Sequence, residues 1–311
     1  MTVREEIAET IRAYMMQLPP IADKPRRVEL VIEYPSVTER HEIIKEIEKM
    51  TTFEDTKAET ETAESLKTSG DRTTLAGGNC TTLAGGDYAK LTDGNYVKLA
   101  GGYGATLAGG DYAKLTGGNY AKLAGGYGAT LAGGDYAKLT GGNCTTLAGG
   151  NGATLAGGNG ATLAGGNDAK LAGGNGAKLA GGDYATLAGG NCATLAGGNC
   201  ATLAGGDYAK LTGGNCTTLA GGDYAKLTGG NCTTLAGGYG ATLAGGNDAL
   251  IVGDKGSVAK GGIGSVILLV SRDGDRNITA YKAIKIDGKR YKADVYYTLG
   301  VDGEVKAAGR R

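Results

Sequence analysis

Leucine recurs at every eighth residue without a gap from Leu75 to Leu243, and Ile251, Ala259 and Ile267 keep the same phase beyond it. The 22 leucine octets share the consensus Gly-Gly-(Asn/Asp/Tyr)-(Tyr/Gly/Cys/Asp)-(Ala/Thr)-(Thr/Lys)-Leu-(Ala/Thr), of which the stretch from Gly109 to Thr116 is a representative copy. The last four places alternate small, Thr/Lys, Leu, small, the two-residue period of a half-buried strand. Ala and Leu are expected to point inward, Thr/Lys and the following Ala/Thr outward. The Gly-Gly-Asn or Gly-Gly-Asp that follows supplies residues tolerant of positive φ, as a sharp corner requires. One octet is too short to enclose a core. Two octets, 16 residues with two short strands, therefore predict one flattened coil. Twelve coils stacked at about 4.8 Å make a rod roughly 55–60 Å long.

The two ends break this pattern. Val3, Ile7, Ile11, Met15 and Leu18 lie at helical spacing and Pro19-Pro20 stops that helix. A strand is expected from Val28 to Tyr34. A second helix, capped by Ser36 or Thr38, carries Ile43, Ile44, Ile47 and Met50. Residues 1–50 thus read as a small α/β module, marginal by itself and so expected to oligomerise or dock on a partner. Residues 51–70 are rich in Thr and Glu and read as an acidic flexible linker. The solenoid is expected over 71–262 and an antiparallel β cap over 263–311. In the cap, strands from Ile267 to Ser271, Ile278 to Ile286, Tyr291 to Leu299 and at Glu304-Val305 alternate with Asp273-Gly274, Asp287-Gly288 and Asp302-Gly303, which are hairpin signals. Such a cap covers the open strand edge that a last coil would otherwise offer to another chain. The predicted fold class is mainly β: a solenoid of stacked octapeptide pairs with 16 residues per coil, a hairpin cap and the α/β module.

Composition sharpens this picture. Glycine makes up 60 of 311 residues, but the unbroken leucine phase is not linker behaviour, and four prolines are too few for collagen. A period of eight, with Thr or Lys where an acidic residue would be needed, sets the repeat apart from the calcium-binding nonapeptide roll. Lys+Arg and Asp+Glu both number 32, so there is no electrostatic case for nucleic acid or for an anionic membrane surface. With His41 as its single histidine, the chain lacks the residues for multi-His zinc sites or triad chemistry. No enzymatic activity, cofactor or metal is expected. The first residues are not followed by an apolar stretch of signal-peptide length, and no run of about 20 apolar residues occurs. A cytoplasmic location without a membrane span is the default, with export by a signal-less route or within a particle as the alternative.

The Gly-Asp-Tyr-Ala-Lys-Leu-Thr and Gly-Tyr-Gly-Ala-Thr-Leu patterns resemble the octapeptides of bacterial ice nucleation proteins. The stretch with Asp273-Gly274, Ala283, Ala293-Asp294-Val295-Tyr296-Tyr297 and Glu304-Val305 is similar to that family's terminal cap. Related phage and bacterial octapeptide-repeat proteins without known ice activity share this arrangement. The resemblance covers roughly residues 69–307 and none of the first 50. It implies a β-solenoid, and an ice-organising face of paired Thr-x-Thr rows. This chain departs from that face: it has Thr154-Leu155-Ala156 or Lys138-Leu139-Thr140, and never Thr-Leu-Thr. Its longest same-side row is Thr186, Thr202, Thr218 and Thr234, and the opposite side offers Thr130, Thr146 and Thr162. The arginine-rich terminal coils that the family associates with end-to-end assembly are replaced by tyrosine octets.

Two further columns follow from the 16-residue coil. Tyr96/Tyr112, Tyr120/Tyr136 and Tyr208/Tyr224 fall one coil apart on one side, as lateral contact patches or as corner packing. All six cysteines occupy the fourth octet place after Asn, where they read as small structural filler. Cys200, Cys216 and Cys232 fall on one edge, within disulfide range of their neighbours, so stapling on oxidation is the second reading and a soft-metal site the third. The expected function is a non-catalytic structural, self-associating or display rod, forming a dimer or filament. Ice binding or weak nucleation through Thr and Asn arrays is the alternative, and adhesin-like ligand binding through the tyrosines a third reading. Expected partners are a second copy, an unidentified protein for residues 1–50, or an ice/water surface, with no nucleic acid and no membrane span.

Overall fold

Each octet contributes one three-residue strand. In Lys114–Thr116 the middle Leu115 is buried while its neighbours are exposed, as the alternation demands. The protein is described by a computed structural model over residues 66–308. The α/β module expected at 1–50 lies outside the described residues, as does most of the 51–70 linker. Within them the chain forms 29 strands, numbered β1 to β29 in chain order. No helix among the described residues is long and apolar enough to cross a membrane.

Alternate strands pair in parallel with a register of one coil: Leu139 lies opposite Leu155, and Leu155 opposite Leu171. The odd-numbered strands from β1 (Leu66–Thr68) to β25 (Val258–Lys260) make one sheet, here the first. The even-numbered strands from β2 (Thr74–Ala76) to β26 (Val266–Arg272) make the second. Thirteen coils of 16 residues result, a β-solenoid whose first strand lies inside the segment read as linker. Between the sheets the fifth and seventh octet places form one continuous core. Ala113, Leu115, Ala153 and Leu155 are at most 1 % exposed, and each buried leucine contributes roughly 1.5–3 kcal/mol. Where the fifth place is Thr, as at Thr145, Thr217 and Thr233, the hydroxyl donates to the carbonyl three residues back, at 3.0–3.1 Å.

The corners differ from expectation in one respect. Positive φ falls on the fourth octet place, not on Gly-Gly-Asn: Tyr112 has φ 56°, Cys200 57° and Gly128 65°. The glycine pair is needed for space. A Cβ on Gly109 would meet the Cβ of Ala113 at 2.7 Å and Leu115 Cδ1 at 3.1 Å, and one on Gly110 would fall on Asn95 Oδ1. A left-handed residue other than Gly costs roughly 1–2 kcal/mol. The stack holds it there: the Tyr112 amide donates to the Tyr127 carbonyl one coil on, at 2.8 Å.

At the C-terminal end both sheets switch to antiparallel pairing. β27 (Ile278–Lys285) folds back along β26, and β28 (Tyr297–Leu299) joins β25 at Ala259 and then β29 (Val305–Ala307). The strand expected from Tyr291 is shortened to Tyr297–Leu299. Asp287 Oδ1 accepts the Lys289 and Tyr291 amides at 2.8 and 3.1 Å, closing that segment as a turn. The Tyr297 hydroxyl accepts the Lys292 amide at 2.7 Å and holds the chain between.

Candidate functional site

The third octet place builds an internal ladder that sequence reasoning missed. Asn159, Asn175 and Asn191 each donate their amide to the side-chain Oδ1 of the Asn one coil earlier, at 2.8–2.9 Å. Aspartate carboxylates accept in the same way: Asp111 Oδ1 accepts the Tyr127 amide at 2.7 Å. These carboxylates therefore hold successive coils together. The signal was the near-constant Asn or Asp at this place, three residues before the strand.

Third and fourth places share one corner, and their side chains form columns along the stack. Ahead of the second sheet, Tyr88, Tyr103, Tyr120 and Tyr136 follow one another at ring-centroid distances of 5.6, 5.3 and 5.2 Å. The Arg72 guanidinium lies 5.8 Å from the first of these rings. Ahead of the first sheet, Tyr96, Tyr112 and Tyr127 are 5.1 and 5.6 Å apart, and Tyr208, Tyr224 and Tyr239 are 5.2 and 5.4 Å apart. The pairs Tyr96/Tyr112, Tyr120/Tyr136 and Tyr208/Tyr224 are stacked within 16° of parallel. Tyr88, Tyr103, Tyr127 and Tyr239 extend them. The last three sit at the third place with Gly at the fourth, because a Cβ on Gly128 would meet the Tyr112 ring at 2.8 Å. All these rings remain 42–61 % exposed. Partial burial and the neighbouring phenols raise the hydroxyl pKa of Tyr103 and Tyr224, while a hydrogen bond with Cys144 is the main cause at Tyr127.

The sixth place forms the rows on the flat faces. Thr186, Thr202, Thr218 and Thr234 are in register on the second sheet, with Ala188, Ala204, Ala220 and Ala236 beside them, all exposed. Thr130, Thr146 and Thr162 form the shorter row on the first sheet. Over the coils of the longer row the first sheet carries Lys210 and Lys226. Thr234 gives way to Leu250 and then Val266, so the row runs into an exposed aliphatic patch before the cap. Cys200, Cys216 and Cys232 occupy the corner two residues before Thr202, Thr218 and Thr234 and line that row. Beside the cap, a shallow cleft of about 540 Å³ is lined by Tyr239, Asp254, Arg272 and Arg276. Two of its charges are paired with each other: the Arg272 Nε donates to both Asp254 oxygens at 2.8 and 2.9 Å.

No known protein family matches the chain, and neither the curated proteins nor the solved structures yield a match to it.

Proposed function

We propose that the protein is a non-catalytic rod of the ice-nucleation-protein type that displays periodic side chains and associates with further copies through them. The supporting observation is the column from Tyr88 to Tyr136, four exposed rings at 5.2–5.6 Å spacing on a rigid backbone ladder. Stacked tyrosines offer contact area with little rotamer entropy left to lose. A second copy laid alongside presents the same period and meets the column in register. Sedimentation velocity over a concentration series tests this. Association is expected to grow with concentration in the parent chain and to vanish when Tyr88, Tyr103, Tyr120 and Tyr136 become Ser. A parent that stays monomeric throughout overturns the reading.

Ice binding is supported by a different observation, the unbroken row from Thr186 to Thr234 with alanines beside it. That row is single and spans about 14 Å at the coil spacing, a small template. Droplet freezing separates the two readings. A rod without ice activity freezes at the same temperature as its variant with all four threonines replaced by Lys. A parent that freezes several degrees warmer than this variant puts ice binding first.

A further inference from the structure

We propose that Cys200, Cys216 and Cys232 form an oxidation site that takes up one intrachain disulfide, and that this bond always includes Cys216. The three residues occupy the same corner of three successive coils. Each adopts the same left-handed backbone, with φ of 57°, so the three side chains leave the stack in one direction. Each amide is fixed to the next coil: Cys200 to the Asn215 carbonyl, Cys216 to Asn231 and Cys232 to Asn247, all at 2.8 Å. Neighbouring Cα atoms are thereby held at the coil spacing of about 4.8 Å, inside the ~4.4–6.8 Å window for a disulfide. Closing the bond draws the two Cβ atoms together by a few tenths of an ångström, from ~4.8 to at most ~4.5 Å. Cys200 and Cys232 are two coils apart, about 9.6 Å, and out of reach of each other. The middle thiol has two candidate partners and the outer thiols one each.

The other three cysteines have no thiol one coil away among the described residues. Tyr96 stands in that place for Cys80, Gly128 and Gly160 for Cys144, and Gly176 and Tyr208 for Cys192. All three members of the column reach solvent, with Cys216 and Cys232 exposed and Cys200 half-buried. Partial burial and the two flanking thiols hold the proton on Cys216. Disulfide formation removes two electrons, so the column stays reduced until an oxidant arrives. With a peroxide as oxidant, one thiol sulfur displaces water from the peroxide O–O bond and becomes a sulfenic acid. The neighbouring thiol then attacks that sulfur, the S–S bond forms and a second water leaves. Because a third thiol remains beside the bond, disulfide exchange moves the link between Cys200–Cys216 and Cys216–Cys232. The staple ties together the coils beneath the longer Thr row and makes their cohesion respond to the redox environment.

The test treats the full-length chain with hydrogen peroxide, alkylates it under denaturing conditions and maps it with trypsin. Lys210 and Lys226 lie between the three cysteines, so cleavage there separates them into different peptides. The expected result is a loss of about two mass units per chain, four of the six thiols alkylated, and linked peptides that all contain Cys216. Cys200→Ser and Cys232→Ser each still form one bond. Cys216→Ser, checked for an unchanged β-sheet circular dichroism signal, keeps all its thiols free. A bond that persists in Cys216→Ser, six alkylated thiols after excess peroxide, or a link between two chains on non-reducing electrophoresis overturns the proposal.

Discussion

The octet from Gly149 to Ala156 in the middle of the stack and the octet from Ser69 to Ala76 in the first described coil carry leucine at the same place, yet they bury it differently. Leu155, with coils on both sides, is 1 % exposed, whereas Leu75 is only partly buried. In the first strand Lys67, not a leucine, stands opposite Leu83, and Leu66 lies at the outward place opposite Thr82. A coil has no core of its own; its apolar side chains are covered by the coil before and the coil after. The C-terminal end solves the same problem by changing sequence. There Ile267, Leu269, Ile284 and Ile286 are at most 4 % exposed beneath the antiparallel strands of the cap. The octet is thus sufficient in the interior of the rod and insufficient at its ends.

The strongest test of this contrast places charge in the leucine column. Leu155→Asp with Leu163→Asp is expected to cost more than the ~2–5 kcal/mol of a buried Leu→Ala change and to collapse the middle of the rod. The same change at Leu75 is expected to cost only about 1 kcal/mol, as for a partly covered site. Thermal melting followed by circular dichroism measures both, and equal losses would show that end coils bury their leucines as fully as middle ones. A smaller effect is expected from Asn159→Ala, which removes the oxygen accepting the Asn175 amide at 2.8 Å. About 1 kcal/mol is lost, and faster amide exchange should be confined to the adjoining coils. Uniform exchange along the rod would mean that the coils open together.

The smallest effect separates the cap from those coils by pH. Hydrogen bonds from Asn277 lower the Asp273 pKa, backbone amides of Lys289 and Tyr291 lower that of Asp287, and the Lys306 ammonium lowers that of Asp302. Groups with depressed folded values stabilise the cap fully above the ordinary carboxylate value of 3.8 and lose this contribution as the pH falls through the folded value. Acid below about pH 4 should therefore loosen the cap turns first. The Asn143 to Asn191 ladder has no titrating member and should keep its amide protection. Nuclear magnetic resonance or exchange mass spectrometry across this range distinguishes the two regions, and simultaneous loss would refute the assignment.

Much of the architecture was legible because a repeat repeats its own constraints. One leucine in eight states the phase, and a slip by one residue would turn every Leu out and every Lys in. The inward Leu and Ala, the outward Thr and Lys, the coil length, the Thr rows and the column of Cys200, Cys216 and Cys232 all follow from that arithmetic. The cap was legible as hairpins at Asp273-Gly274 and Asp302-Gly303. Asp287-Gly288, however, joins β27 to β28, which pair in different sheets and form no hairpin, and the stretch from Tyr291 to Tyr296 is not strand. There local turn bonds to Asp287 won over an alternating apolar pattern.

What the sequence by itself determined is therefore everything carried by local alternation: which residues face the core, which face solvent, and how many make a coil. Only the tertiary structure decided the rest. It put the left-handed backbone on the fourth octet place, on Tyr112, Cys200 and Gly128 alike, rather than on the Gly-Gly pair. It also merged the third and fourth places into one aromatic column, and turned Asn and Asp side chains into rungs between coils. Each of these depends on groups 15–17 residues apart that meet only when one coil lies on the next. Backbone hydrogen bonds set that distance, and no pattern within a single octet contains it.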